Sequence, residues 1–166
     1  MNTDVYYNDN LNIQSKSSQR CMATKNHPIY WITGQSGAGK TTLAYALQKK
    51  IGGIVLDGDE MRASISLGDG FSRKAREAHN LRVARLAHIL SQQTKVIISV
   101  IAPFRSTRAK VSELIDPVWI YVAKTLPKSV RRPYEIPRKP NITVNSDTQT
   151  LTDKVRIILE YIHRNK

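Results

Sequence analysis

The chain has 166 residues, 40% of them apolar, and carries 26 Lys and Arg against 13 Asp and Glu for a formal net charge of +13. That length suits one domain with one core, a single cysteine (Cys21) excludes a disulfide framework or a paired-cysteine zinc site, and no apolar run approaches the roughly 18 residues of a membrane helix. A reducing, cytoplasmic setting is therefore expected, while the charge alone suits nucleic acid and small polyphosphates equally well.

Met1 through Arg20 is rich in Asn, Ser, Gln and Asp, has no helical or strand periodicity, and lacks the apolar core of a secretion signal. Residues 1–26 are expected to form a flexible arm, followed by one folded domain over 27–166. In that domain β-rich and helical runs alternate. The strand-like runs are Ile29 to Thr33, Gly53 to Asp57, Lys95 to Ala102, Val118 to Val122 and Asn141 to Asn145, several of them continuously apolar, as strands covered on both faces are. Helical patterns fall at Lys40 to Ile51, Asp59 to Ile65, Ser72 to Gln93, Ser106 to Ile115 and Leu151 to Arg164. In the longest, Val83, Leu86, Ala87 and Leu90 recur at i, i+3, i+4 and i+7, and before the last, Thr150 and Asp153 are spaced as a capping box. Strict alternation implies a parallel sheet with helices on both sides and ligands at the carboxyl ends of its strands.

The first such end carries Gly34-Gln35-Ser36-Gly37-Ala38-Gly39-Lys40-Thr41, a full match to G-x-x-x-x-G-K-[ST] with a strand before it and a helix after it. The glycines let successive N–H groups turn inward onto phosphate oxygens, and the helix adds its positive end. Gly34, Gln35, Ser36, Gly37, Ala38, Gly39, Lys40, Thr41 and Thr42 are thus candidate ATP-phosphate ligands, with Lys40 on the β- and γ-phosphates and Thr41 on Mg²⁺. The fold expected is α/β, a three-layer P-loop NTPase fold with a five-stranded, mainly parallel sheet.

A triphosphate site does not name a reaction. The N-K-x-D of a GTPase is absent, and the third apolar run ends in Ala102-Pro103-Phe104 rather than the acid usual in motor and transporter ATPases. That favours a small kinase. Asp57 and Asp59 close the second strand, where an acid can face the γ-phosphate and accept a proton from an attacking hydroxyl or hold a metal's water shell; a helix N-cap is the alternative role for each, with function favoured for Asp57.

Five blocks together resemble the adenylylsulfate (APS) kinases: Trp31 to Thr42; Leu56-Asp-Gly-Asp59 with Arg62; Gly70-Phe-Ser-Arg73 with Arg76; Ile101-Ala-Pro-Phe-Arg105 with Arg108; and Pro133-Tyr-Glu-Ile-Pro137 followed by Pro140. The resemblance spans about Ile29 to Asn145. It implies transfer of the γ-phosphate of MgATP to the 3′-hydroxyl of APS, giving PAPS. It further implies Asp57 as candidate base or metal-side acid and Lys40 as its catalytic partner. Arg62 and Arg76 would lie on the acceptor's phosphosulfate, Phe71 on its base, and Asp59, His79, Ile101 and Arg108 would make further acceptor contacts. Arg forks suit anionic oxygens and an aromatic face suits a nucleobase, although a lone Phe is more often core.

The chain departs from the family where His79 replaces an Asn, where Ala102 replaces a Ser, and between Val122 and Pro133, where ten residues stand in place of a longer lid with R-D-P-K-G-L-Y and F-T-G motifs. The acceptor could accordingly be another activated nucleotide such as CDP-phosphoramidate in polysaccharide modification. A rival of another class is a non-catalytic nucleotide- or nucleic-acid-binding module. Its support is the net charge of +13. The basic groups themselves (Arg73, Lys74 and Arg76; Arg105, Arg108 and Lys110; and the run from Lys124 to Lys139 containing Lys128, Arg131, Arg132 and Arg138) fall beside loops that a nucleotide can reach, which speaks against it. The expected partners are nucleotide substrates, with a homodimer left open and neither nucleic acid nor membrane expected. His27, His88 and His163 have no metal-binding spacing, Trp119 and Tyr121 read as strand packing, and Tyr134 as a residue that helps hold a nucleotide.

Overall fold

The computed structural model describes residues 26–125 and 133–165. Most of the expected arm, with Cys21, and the cations Lys128, Arg131 and Arg132 lie outside the described residues. The elements are β1 (Ile29–Thr33), α1 (Lys40–Ile51), β2 (Ile54–Asp57), α2 (Gly58–Ala63), α3 (Arg73–Ser91), β3 (Val96–Ser99), α4 (Arg105–Ile115), β4 (Val118–Ala123), β5 (Ile142–Asn145) and α5 (Leu151–Arg164).

The strands form one sheet in the order β2-β3-β1-β4-β5. All four pairings are parallel, with Trp31 opposite both Ile98 and Trp119. The sheet expected to be mainly parallel is therefore parallel throughout. Alternation along β1 divides the core. Tyr30 and Ile32 join Leu43, Ala44 and Leu47 of α1 and Val155 and Ile158 of α5 on one face. Ile29 and Trp31 join Val83, Ala84 and Ala87 of α3 and Val111 of α4 on the other. Because β1 lies between helix-covered faces, all five of its residues are buried, which explains its unbroken apolar run.

The helices following β1 and β3 thus pack on opposite faces, so the chain diverges between these neighbouring strands, the switch point at which open parallel sheets bind ligands. The capping box read from sequence is present, with Thr150 Oγ1 accepting from Asp153 N and Asp153 from Thr150 N. Ser72 caps α3 through Ala75 N rather than starting the helix.

β3 stops at Ser99, three residues short of the expected Ala102. The reason lies in who bonds the carbonyls beyond it. Trp31 Nε1 donates to Val100 O at 3.0 Å, Thr33 Oγ1 to Ile101 O at 2.5 Å, and Arg108 Nη1 to Ala102 O at 2.6 Å. Side chains replace the ladder, and Ala102 turns into the left-handed region at φ 44°. An apolar run fits this detour as well as it fits a strand.

Candidate active site

The glycine loop curls from β1 into α1 at the switch point. A Cβ at Gly34 would stand 2.7 Å from the carbonyl oxygen of Val122, so only glycine lets the loop pass β4 this closely. Gly39 serves as N-cap at φ 89°, a left-handed conformation that costs glycine little. Behind the loop, Lys124 Nζ donates to Gly37 O at 3.1 Å and Ser146 Oγ to Ala38 O at 2.9 Å, with Lys154 Nζ donating in turn to Ser146 Oγ at 3.0 Å. These bonds turn two loop carbonyls toward β4 and α5. Neither Ser146 nor Lys154 carries a sequence signal; Ser146 meets the loop across 108 residues, and Lys154 reaches it only through Ser146.

Lys40 is 8% exposed and donates to Gln35 O at 2.9 Å. Burial lowers its pKa to about 8, against the opposing pull of Asp57 and Asp59. Thr41 Oγ1 donates to Asp57 Oδ2 at 2.7 Å and lies 3.3 Å from Ser99 Oγ. Asp57 Oδ1 accepts from Asp59 N at 3.0 Å, so Asp57 is the N-cap of α2, which begins at Gly58. Of the two carboxylates with capping as an alternative role, Asp57 takes the cap, and its second oxygen still faces the loop. Ser99 carries no sequence signal, because it sits inside an apolar run that reads as strand as far as Ala102.

Beyond these groups the cleft opens into a cavity of about 380 Å³ lined by Lys40, Thr41, Asp57, Asp59, Arg62, Phe71, Arg76, His79, Asn80, Ser99 and Ile101, among others. A wider space of about 870 Å³ shares Ser36, Asp59, Phe71, Arg76 and Ile101 with it and reaches Phe104 and Tyr134. Phe71 is no core residue. It is 70% exposed, with the Arg62 and Arg76 guanidinium carbons 5.1 and 5.3 Å from its ring centroid. Arg62 Nη1 donates to Gly70 O at 3.2 Å and Arg76 Nε to Phe71 O at 2.8 Å, which ties both arginines to the turn that presents the ring. Burial, then Arg76, lowers the pKa of Arg62.

His79 is buried with Nδ1 2.9 Å from Ser66 Oγ. Burial, then the charges of Arg62 and Arg82, brings its pKa to about 4, so the ring is neutral at ordinary pH. Arg82 donates to Ser66 Oγ at 3.2 Å and pairs with Asp69. The neighbouring Asn80 also lines the cavity; Nδ2 donates to Arg76 O at 2.7 Å while Oδ1 is buried without a hydrogen-bond partner among the described residues.

Arg108 is placed differently from the expectation. It is buried, lines neither part of this cleft, and donates Nη1 to Ala102 O and Nη2 to Glu135 O, each at 2.6 Å, with its guanidinium carbon 5.7 Å from the centroid of Tyr134. Tyr134 OH lies 3.1 Å from Thr33 Oγ1. Since Thr33 spends its only proton on Ile101 O, Tyr134 is the donor, and burial raising its pKa to about 12 keeps that proton in place. Glu135 N donates to Pro103 O at 2.8 Å, and its carboxylate accepts from Arg105 N at 2.8 Å. Arg108 therefore joins the loop after β3 to the segment at residues 133–136.

A glycine loop at the switch point, a hydroxyl–carboxylate pair beside it and a basic wall carrying an exposed aromatic ring define a P-loop kinase that phosphorylates a hydroxyl group. The family model of adenylylsulphate kinase matches residues 26–132. The adenylyl-sulfate kinase of Myxococcus xanthus is 34% identical, over 82% of this chain and 91% of that protein, and that of Lactiplantibacillus plantarum 30% identical, over 89% and 86%. The chain belongs to the adenylylsulphate kinase family. Among solved structures, the Mycobacterium tuberculosis APS kinase in complex with AMPPNP and APS superposes with a TM-score of 0.76 at 22% identity, over 83% of this chain and 98% of that one, and shows the shared fold. The hexameric APS kinase from Thiobacillus denitrificans is 30% identical with a TM-score of 0.71, over 86% of this chain and 30% of that one. No helix among the described residues is long and apolar enough to cross a membrane.

Proposed function

We propose that this chain binds MgATP on its glycine loop and transfers the γ-phosphate to the 3′-hydroxyl of adenylylsulfate, giving PAPS and ADP. The observation that carries the reading is the Thr41–Asp57 contact at 2.7 Å, which sets a carboxylate beside the phosphate loop at the mouth of a cavity floored by Arg62, Arg76 and Phe71. Loop amides and Lys40 hold the triphosphate, and Asp57 takes the proton of the 3′-hydroxyl as its oxygen attacks phosphorus in line with the departing ADP oxygen. Arg62 and Arg76 neutralise the phosphosulfate, and Phe71 stacks on the base. Asp59 and Ile101 border the bound sugar, with His79 as a neutral neighbour.

The hydroxyls of Thr41 and Ser99 with the Asp57 carboxylate are hard oxygen donors that fit Mg²⁺ bound mainly through substrate phosphates. Thr41, Ser99 and Asp57 would hold the ion, and the chemistry it would supply there is neutralisation of the charge that develops on the transferring phosphoryl group. Positioning and charge neutralisation carry most of the acceleration, which leaves proton acceptance by Asp57 as the main chemical contribution of a side chain.

The test is coupled ADP release with APS against a panel of other nucleotides; absence of APS-dependent turnover rejects the substrate. A second reading keeps the chemistry and changes the acceptor to another activated nucleotide such as CDP-phosphoramidate. It is favoured by the ten residues between Val122 and Pro133, too few for the family's longer lid. Turnover with that compound and not with APS selects it. A non-catalytic module is selected by ATP binding that Asp57→Ala leaves unchanged, together with no acceptor-dependent ADP.

A further inference from the structure

A second cavity, of about 330 Å³, lies away from the cleft between α4 and residues 137–140. Arg105, Arg108 and Ser112 stand at i, i+3 and i+7 on α4 and so share one face. Trp119 of β4 lines the cavity and is fixed there by its Nε1 donating to Ser112 Oγ at 2.9 Å. Arg138 and Lys139 complete the lining, to which no carboxylate contributes.

The cations around this cavity outnumber the carboxylates near it, of which Glu135, accepting from Arg105 N at 2.8 Å, lies outside the lining. Arg138 and Lys139 are exposed and have no hydrogen-bond or ion-pair partner among the described residues. Arg105 commits Nε to Ile136 O at 3.0 Å, and its remaining guanidinium donors have no partner among the described residues. Arg108, desolvated and with Tyr134 and Glu135 as well as Arg105 beside it, is held rigid by its two carbonyl bonds at the wall. Like charges gathered around one concavity repel each other, and an anion there relieves that repulsion. A duplex or long strand calls for an extended basic face with exposed aromatic platforms. Here the cations converge on a space at the lower end of small-ligand sites.

From this convergence we infer that the cavity between α4 and residues 137–140 is a second ligand site, which takes a compact multivalent oxyanion of the pyrophosphate class, free or as the diphosphate of a nucleotide. Arg105 and Arg138 offer planar forks to its oxygens and Lys139 a point charge, while the indole edge and neighbouring prolines close the apolar side. The inference is independent of which acceptor the kinase uses.

Calorimetric titration of the full chain with inorganic pyrophosphate, in EDTA, tests it, with tryptophan fluorescence reporting on Trp119. Two saturable sites are expected in the unmodified chain, one on the glycine loop and one here. Arg138→Glu combined with Lys139→Glu weakens the second by at least about tenfold, the equivalent of one charge-assisted hydrogen bond. The same pair leaves acceptor-dependent ADP release unchanged, and Lys40→Met weakens only the first site. The neutral pair Arg138→Gln and Lys139→Gln gives an intermediate loss and guards against damage from charge reversal. A uridine diphosphate arm separates the sources: tighter binding than pyrophosphate assigns a nucleotide, equal binding a free diphosphate. A single site, a second site indifferent to both variant pairs, or binding of single-stranded RNA without binding of pyrophosphate overturns the inference.

Discussion

Raising the pH from 7 to 9 tests whether Lys40 is a buried cation held ready for phosphate. Its ammonium is 8% exposed, and burial outweighs the attraction of Asp57 and Asp59, which leaves the pKa at about 8 against an ordinary 10.5. That depression corresponds to about 3 kcal/mol of cost for the charged form in the empty cleft. A triphosphate supplies the missing counter-charge and raises the pKa in the complex, so binding takes up protons wherever the free enzyme has lost them. At pH 7 roughly 90% of free enzyme carries the proton, and at pH 9 roughly 10%. Affinity for MgATP therefore falls about tenfold between these pH values, and at pH 8 about half a proton is taken up on binding. Calorimetry at pH 7, 8 and 9 in buffers of different ionisation enthalpy measures both quantities, with Lys40→Met as a weak-binding control that shows no such trend. An affinity constant within twofold across the range, with no proton uptake at pH 8, refutes the reasoning.

Asp57→Asn keeps the cap of α2 and removes the proposed base, so turnover is expected to fall by about 10²–10⁴ at nearly unchanged melting temperature, whereas Asp57→Ala loses about 1 kcal/mol of stability as well. Steady-state kinetics and thermal denaturation separate the two. Phe71→Ala is expected to raise the KM for the acceptor roughly tenfold, from the loss of about 1–3 kcal/mol of base stacking, with little change in melting temperature because the ring is exposed. Arg108→Lys cannot span the Ala102 and Glu135 carbonyls together, so it is expected to lose about 2–3 kcal/mol of stability in denaturant titration and to raise the acceptor KM more than that for ATP. His79 is buried neutral with its pKa at about 4, so the unfolded chain binds the extra proton first as the pH falls below 6.5. Folding stability is therefore lost between about pH 6.5 and 4, by up to about 3 kcal/mol, and His79→Asn flattens that part of the stability profile measured by urea titration.

The linear chain wrote the local structure and the phosphate loop plainly. Periodicity and caps are set by neighbours a few residues apart, which is why β1, α1 and α5 and the Thr150–Asp153 box were legible, and why a full loop motif between strand and helix could be read without coordinates. Tertiary structure decided which polar groups meet. The partners of Trp31, Thr33 and Tyr134 lie 69, 68 and 101 residues away, and these contacts end β3 at Ser99, set Ser99 beside Thr41 and draw the 133–136 segment onto the cleft. Phe71 and Arg108 show the same division. Sequence offers an aromatic and an arginine, and only long-range packing leaves the ring exposed between two guanidiniums while it encloses the other guanidinium between two carbonyls. A hydrogen bond between distant residues depends on where the sheet and its crossovers place them, and that placement is fixed cooperatively by the whole core rather than by any local run of residues.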